Sequence, residues 1–211
     1  MNIAILKCDD VLEKFQAEFG NYPEMIIDMF SAVETTLNFT TYDVRVDQYP
    51  CISDNFDFYV ITGSKASVYD GHKWISSLVR YVQALDKAGE KLFGICFGHQ
   101  IIALAKKCLV EKSDKGWGIG VSSNQVSKRT DWLSGNIHRL NILVSHQDQV
   151  LSLPDGADVI AESKFCPYFF VQWGDNMLSV QGHPEWLPAY SKALINDRRD
   201  RISKDCVETG L

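Results

Sequence analysis

Long apolar runs are missing from this chain of 211 residues, so nothing in it reads as a membrane span. Basic blocks are missing too. Against 27 acidic residues stand 21 Lys and Arg, for a net charge of −6, which argues against a nucleic-acid partner. The one Arg pair, Arg198-Arg199, lies between Asp197 and Asp200 and reads as a solvated helix face. No C-x-x-C pair occurs among Cys8, Cys51, Cys96, Cys108, Cys166 and Cys206, whose irregular spacing excludes a zinc site and a regular disulfide framework. The opening Met1-Asn-Ile-Ala-Ile-Leu-Lys7 is too short and wrongly flanked for an export signal. Reduced thiols in a cytoplasmic protein are the expectation. Lys115-Gly-Trp-Gly-Ile-Gly120 lacks the G-K-[ST] ending of a phosphate loop, and no other nucleotide fingerprint occurs. No cofactor and no metal are expected. With no internal repeat and no Pro- or Gly-rich linker, residues 1–211 read as a single domain.

What is present is a chain with 45% hydrophobic residues, enough for one α/β core. Asn2–Leu6 reads as a first strand. Tyr22-Pro23 opens a helix carrying Met25, Ile26, Met29, Phe30 and Val33 at helical spacing. Alternation at Tyr42, Val44 and Val46 predicts a half-buried strand, and 57–62 predicts a denser one. Trp74, Ile75, Leu78, Val79, Val82 and Leu85 form an amphipathic helix stopped near Gly89. The order β-α-β-β-α-β-α predicts a mostly parallel central sheet with helices on both faces. Beyond about Lys115 the pattern changes to short strands near 120–126, 140–144, 159–163, 168–173 and 178–181, a small antiparallel extension. Pro188 opens a last helix, expected to run to about Ile202.

Chemistry concentrates first in Leu92-Phe-Gly-Ile-Cys-Phe-Gly-His-Gln100. A short apolar strand meets a helix at Cys96, with Gly94 and Gly98 two residues to either side. G-x-nucleophile-x-G is the pattern of a crowded strand-to-helix turn that lifts a side chain out of a sheet. A sulfur placed there meets the positive end of a helix, which favours thiolate, and the Phe97 N–H is left to face an oxyanion. A buried structural cysteine would carry the same letters. What distinguishes the two is a base, and Gln181-Gly-His-Pro-Glu185 offers one. His183 and Glu185 are two apart, so they project to one side at a strand end, and Glu185 can hold one imidazole nitrogen while the other faces a thiol. Of the remaining histidines, His99 reads as structural or merely polar, His72 and His138 as surface residues.

Taken together, G-I-C-F-G-H-Q at 94–100, S-H-Q-D-Q-V at 145–150 and Q-G-H-P-E at 181–185 resemble the class I, triad-type glutamine amidotransferases over nearly the whole chain, and within them the stand-alone γ-glutamyl peptidase branch. The resemblance implies a flavodoxin-like sheet and a Cys96 nucleophile, with His183 as general base and acid and Glu185 as its orienter. It implies that Gln100 and the segment holding Ser145, Gln147 and Asp148 bind the glutamine backbone groups. Ser64, in Thr62-Gly-Ser-Lys-Ala-Ser67, would give the second oxyanion N–H beside Phe97. His146 falls in the same substrate segment, where a loop-shaping role is as good a reading as catalysis. Trp117 is expected near the site entrance.

Two departures matter. The oxyanion loop reads G-S-K where family members have G-G-P or N-G-P, so a positive φ at Ser64 would be costly. Gly182 stands where an aromatic ring is common, which predicts space for a bulkier leaving group. The expected activity is hydrolysis of glutamine or of a γ-glutamyl amine or peptide. The alternatives are a glutaminase subunit feeding ammonia to a separate synthetase, and a silent binding or regulatory protein.

Overall fold

Ile3, Ala4, Ile5 and Leu6 are fully buried in β1 (Asn2–Lys7), which has neighbours on both edges and cover on both faces. A computed structural model describes residues 1–210; Leu211, the end of the expected domain, lies outside them. The described residues form a nine-stranded sheet. Its parallel half runs from β2 (Asn38–Asp43) through β1, β3 (Phe58–Ile61) and β4 (Leu92–Ile95) to β11 (Met177–Val180). The antiparallel half continues with β10 (Phe170–Trp173), β9 (Ala157–Glu162), β6 (Gly118–Val126) and β7 (Arg139–His146). The α/β fold with a mostly parallel centre and an antiparallel extension is therefore present. The extension is four strands long and part of the same sheet, larger than the sequence suggested.

Alternation along the strands sorts the core into two faces. Ala4, Leu6, Tyr59 and Ile61 join Ile75, Leu78, Val82 and Leu85 of α3 (Lys73–Ala88) and Ile101 and Ile102 of α4 (Phe97–Ala105). Ile3, Ile5, Val60 and Ile95 face the other way, onto Ile26 of α2 (Tyr22–Ser31). The α3 stripe ends where expected, at Gly89 in the left-handed conformation with φ 75°. Asn21 caps α2 through a reciprocal capping box with Glu24.

Several local expectations are corrected. The strand near residue 42 lies earlier, at β2, and Val44–Val46 is a turn of 3₁₀ helix, because the Asp43 carboxylate accepts from the Arg45 N–H and Asp47 turns left-handed. Val33 lies beyond the end of α2 and is 89% exposed. The last helix is two: α5 (Pro188–Asp197) and α6 (Lys204–Gly210). A short α1 (Glu13–Phe19) and a two-stranded pair, β5 (Val110–Lys112) with β8 (Asp148–Val150), carried no pattern strong enough to read. Among the described residues no helix is long and apolar enough to cross a membrane.

The parallel strands β1, β3, β4 and β11 run out at one end of the sheet, into the segments of Cys8–Asp10, Gly63–Ser67, Cys96 and Gln181–His183. A crevice at the carboxyl ends of parallel strands is the usual ligand position of such sheets. β7 reaches the same place: the His183 N–H donates to the Leu143 carbonyl at 2.7 Å, an isolated bridge that brings residues 145–148 alongside.

Candidate active site

Cys96 occupies the turn between β4 and α4 at φ 50°, ψ −96°. Such a conformation is strained for a residue with a side chain and persists only where the surroundings fix it. They do: its N–H donates to the Val180 carbonyl at 2.8 Å and its carbonyl accepts from Gln100 N at 3.2 Å. A Cβ on Gly94 would lie 2.6 Å from the Gly98 backbone, and one on Gly98 would lie 2.6 Å from the Ile61 carbonyl oxygen. Both glycines are thus required for the helix to approach the sheet this closely. Cys96 is 6% exposed, at the floor of a cavity of about 280 Å³.

His183 reaches this floor from the end of β11. Its Nδ1 is 2.7 Å from Glu185 Oε1, and its ring shares the cavity lining with Cys96. Burial by itself would suppress the imidazolium, but the Glu185 carboxylate and the Cys96 sulfur outweigh it and raise the His183 pKa to about 10. Glu185 Oε2 is buried with no other partner among the described residues, so the carboxylate acts on the imidazole alone. The ring is held in place as well as charged. Trp186 stacks on it with centroids 3.6 Å apart and planes 10° apart, and a Cβ on Gly63 would come within 2.8 Å of its Cε1.

The loop after β3 closes one wall. Among the described residues the N–H groups of Ser64 and Phe97 have no hydrogen-bond partner, and both residues line the cavity. Ser64 is not among the residues of positive φ, so the strain expected of G-S-K in place of G-G-P does not arise. The loop is instead tied down by Asp9, 3% exposed, whose carboxylate accepts from Lys65 N at 2.8 Å, Lys65 Nζ at 3.1 Å and Ser64 Oγ at 3.5 Å.

Gln100, Ser145, Gln147 and Asp148 line the same cavity. The Gln100 amide donates to the Asp148 carbonyl at 3.0 Å and to Gln181 Oε1 at 3.1 Å, while Gln181 Nε2 lies 3.5 Å from Cys96 Sγ. The Asp148 carboxylate accepts from Ser67 Oγ at 2.6 Å and Tyr69 OH at 2.8 Å. Ser145 Oγ accepts from Arg198. The expected residues are therefore brought together: Cys96, His183, Ser64, Phe97, Gln100, Ser145, Gln147 and Asp148 on the cavity wall, with Glu185 directly behind His183. What this arrangement can do is present a sulfur, a charged imidazole and two unpaired N–H groups to one carbonyl group.

Four features depart from the sequence reading. The space expected beside Gly182 is filled: a Cβ there would meet Ile142 Cγ2 at 2.6 Å and Phe169 Cζ at 2.9 Å, so this glycine serves packing under the site. Arg198 does not lie on a solvated face but enters the cavity, where Arg201 joins it; only Arg199 matches the expectation, hydrogen-bonded to Asn196 on the outside. Trp186 and Tyr22 also line the cavity, unannounced by any motif, whereas Trp117 is where the sequence placed it. Cys51 is a second thiol of interest, since it is exposed and its hydrogen bond with Ser53 lowers its pKa. Burial raises the thiols of Cys8, Cys108 and Cys166, the last to about 12.

The remaining histidines sort cleanly. His99 is fully buried, its Nδ1 2.7 Å from Ser179 Oγ, and burial lowers its pKa to about 3. Trp173 Nε1 can only donate, so Ser179 Oγ accepts from it at 2.6 Å and offers its own proton to His99. His146 is lowered to about 4 by burial, its Nδ1 set against the Asp148 carbonyl at 3.2 Å. It is neutral and shapes the loop. His72 and His138 are exposed. Among the described residues no cluster of His, Cys, Asp and Glu could hold a metal ion.

Comparison with known proteins bears on this geometry. Residues 17–198 match the sequence profile described as Glutamine amidotransferase class-I. The chain is 32% identical over 203 residues to gamma-glutamyl peptidase 3 of Arabidopsis thaliana, across 92% of this chain and 78% of that one. It is 30% identical over 197 residues to a glutamine amidotransferase-like protein of Schizosaccharomyces pombe, across 88% and 79% of the two. The crystal structure of a glutamine amidotransferase from Thermotoga maritima superposes with a TM-score of 0.77 at 19% identity, covering 99% of this chain and 90% of that chain, which establishes a shared fold.

Proposed function

Because this chain belongs to the class I glutamine amidotransferase family, we propose that it is a cysteine-dependent amidohydrolase that cleaves the γ-amide bond of a γ-glutamyl compound. The Cys96 sulfur attacks the δ-carbonyl carbon and forms a C–S bond while the carbonyl electrons move to oxygen, facing the Ser64 and Phe97 N–H groups. As the tetrahedral adduct collapses, the C–N bond breaks and His183 delivers its proton to the departing nitrogen. Water then adds to the thioester with His183 taking its proton, the C–S bond breaks, and glutamate leaves with the thiol restored. Glu185 keeps the imidazole oriented and stabilises its charge throughout.

The single observation that carries this reading is the buried His183–Glu185 pair, 2.7 Å apart, set against a cysteine in a strained turn. Isolated protein incubated with glutamine and a panel of γ-glutamyl peptides and amines should release glutamate, and Cys96→Ser should abolish release. A glutamine-shaped electrophile should label Cys96 first. A general alkylating reagent should also label the exposed Cys51, so only substrate protection against the first reagent is diagnostic. No glutamate from any substrate alone, but release from glutamine once a synthetase is added, would assign ammonia supply instead.

A further inference from the structure

The cavity wall carries charge that the chemistry above does not use. Arg198 is half-buried, its NH1 donates to Ser145 Oγ at 2.8 Å, and its guanidinium lies 5.9 Å from the Trp117 ring centroid. Arg201, three residues on, lines the same cavity from its rim. Among the described residues neither guanidinium pairs with a carboxylate: Asp197 turns outward to Lys14, and Asp148 is committed to Ser67 and Tyr69. Lys65, also on the cavity wall, is paired with Asp9, which Arg45 meets as well. A chain of net charge −6 thus sets two guanidiniums on the wall of its reaction cavity, beside an Asp148 carboxylate that is held by two hydroxyls. Two fixed guanidinium charges on one wall of a concave site favour ligands of the opposite sign there.

We infer that Arg198 and Arg201 form a carboxylate subsite, and that the leaving group is the amine of an amino acid or peptide with a free carboxylate rather than a simple amine or a polyamine. The inference rests on the hydrolase reading above and narrows its substrate class. Guanidinium forks bind carboxylates through paired charge-assisted hydrogen bonds and are never deprotonated at working pH, whereas a cationic leaving group would be repelled. The two arginines have unequal positions. Arg198 is braced on Ser145, in the segment that lies against Gln100 and Gln181 deep in the cavity, while Arg201 stands at the rim, where a leaving group departs. Arg201 is therefore the residue that first meets the carboxylate of the leaving group, with Arg198 behind it in the same subsite.

The test compares three substrates, a γ-glutamyl dipeptide with a free C-terminal carboxylate, the same dipeptide as its C-terminal amide, and glutamine. In the wild type kcat/KM should be roughly 10- to 100-fold higher for the free acid than for the amide, the span of a charge-assisted hydrogen bond. Arg201→Gln should erase most of that preference, chiefly through KM, and lower the rate with glutamine far less. Equal rates for acid and amide in the wild type would overturn the inference. So would an Arg201→Gln loss as large for glutamine as for the free acid, since the carboxylate recognised would then be that of the glutamyl group. Should none of the three be hydrolysed, the hydrolase reading fails. Calorimetric binding to Cys96→Ser then decides the subsite separately, tighter binding of acid than amide supporting it and equal binding overturning it.

Discussion

The buried carboxylate of Asp9 holds both the backbone N–H of Lys65, at 2.8 Å, and its ammonium, at 3.1 Å. Through this pair the end of β1 clamps the loop that presents the Ser64 N–H. Asp9→Asn leaves an amide that can accept from one donor but loses the charge that attracts Lys65. We expect kcat to fall by about 10- to 100-fold, less than the loss of an oxyanion donor itself, with KM for glutamine changed far less. Steady-state kinetics check this; a loss confined to KM would mean that the loop binds substrate without stabilising the oxyanion.

Gly63 and His183 are coupled sterically. A methyl at residue 63 would lie 2.8 Å from His183 Cε1, and the stacked Trp186 ring bars the imidazole from retreating across its face. Gly63→Ala should therefore displace the imidazole while leaving the core intact. The expected outcome is a loss of about 100-fold in kcat/KM, since a misplacement near 1 Å costs that much, with a thermal midpoint within a few degrees of wild type. A near-normal rate would show that the ring has room to move.

The charge on His183 depends on Glu185, and that dependence is measurable. Burial opposes the imidazolium while Glu185 and Cys96 raise its pKa to about 10, so the proton needed by the leaving nitrogen is held until strongly alkaline pH. In Glu185→Gln the carboxylate charge is gone, and the alkaline limb of kcat/KM should move to lower pH. At neutral pH this variant should be milder than His183→Ala, which removes proton transfer worth roughly 10²- to 10⁴-fold. An unmoved alkaline limb would show that another group sets it.

Legibility in the sequence followed the range of the interaction. The turn at Cys96 was readable because its steric demand is local: two glycines and a cysteine within five residues. His183 and Glu185 were readable because their mutual geometry is also local, and only their meeting with Cys96 needs the fold. Arg198 was not. Its neighbours Asp197 and Asp200 look like partners, and nothing in the letters says that Asp197 pairs with Lys14 while Arg198 turns inward to Ser145. Gly182 misled for a related reason, since a missing ring means space only if no other residue fills it, and Ile142 and Phe169 do. The 3₁₀ turn at Val44–Val46 was hidden because its cause is a side-chain cap, while its letters keep the alternation of a strand.

Stability should peak near neutrality because buried histidines pull in opposite directions. His99 and His146 have folded pKa values lowered to about 3 and about 4 by burial, below the unfolded value of about 6.5. Their contribution is complete above the unfolded pKa and is lost as pH falls toward the folded values, because unfolding then takes up protons that the core excludes. His183 runs the other way: with a folded pKa raised to about 10, its contribution is complete below about 6.5 and is lost as pH rises through 10. Between pH 5 and 6 the strongly paired carboxylates contribute little to the slope, since Asp10 is held down to about 2 and Asp43 lower still, so both stay ionised folded and largely so unfolded. The acid slope in that window should therefore report the two histidines, each giving up to about 1.4 kcal/mol per pH unit. His99→Asn retains a partner for Ser179 but cannot titrate. Urea unfolding across pH 5 to 10 should show a lower plateau for this variant and an acid limb about half as steep as wild type, while Glu185→Gln should flatten only the alkaline limb. An acid limb unchanged in His99→Asn would mean that His99 takes up its proton in the folded state, against the burial that surrounds it.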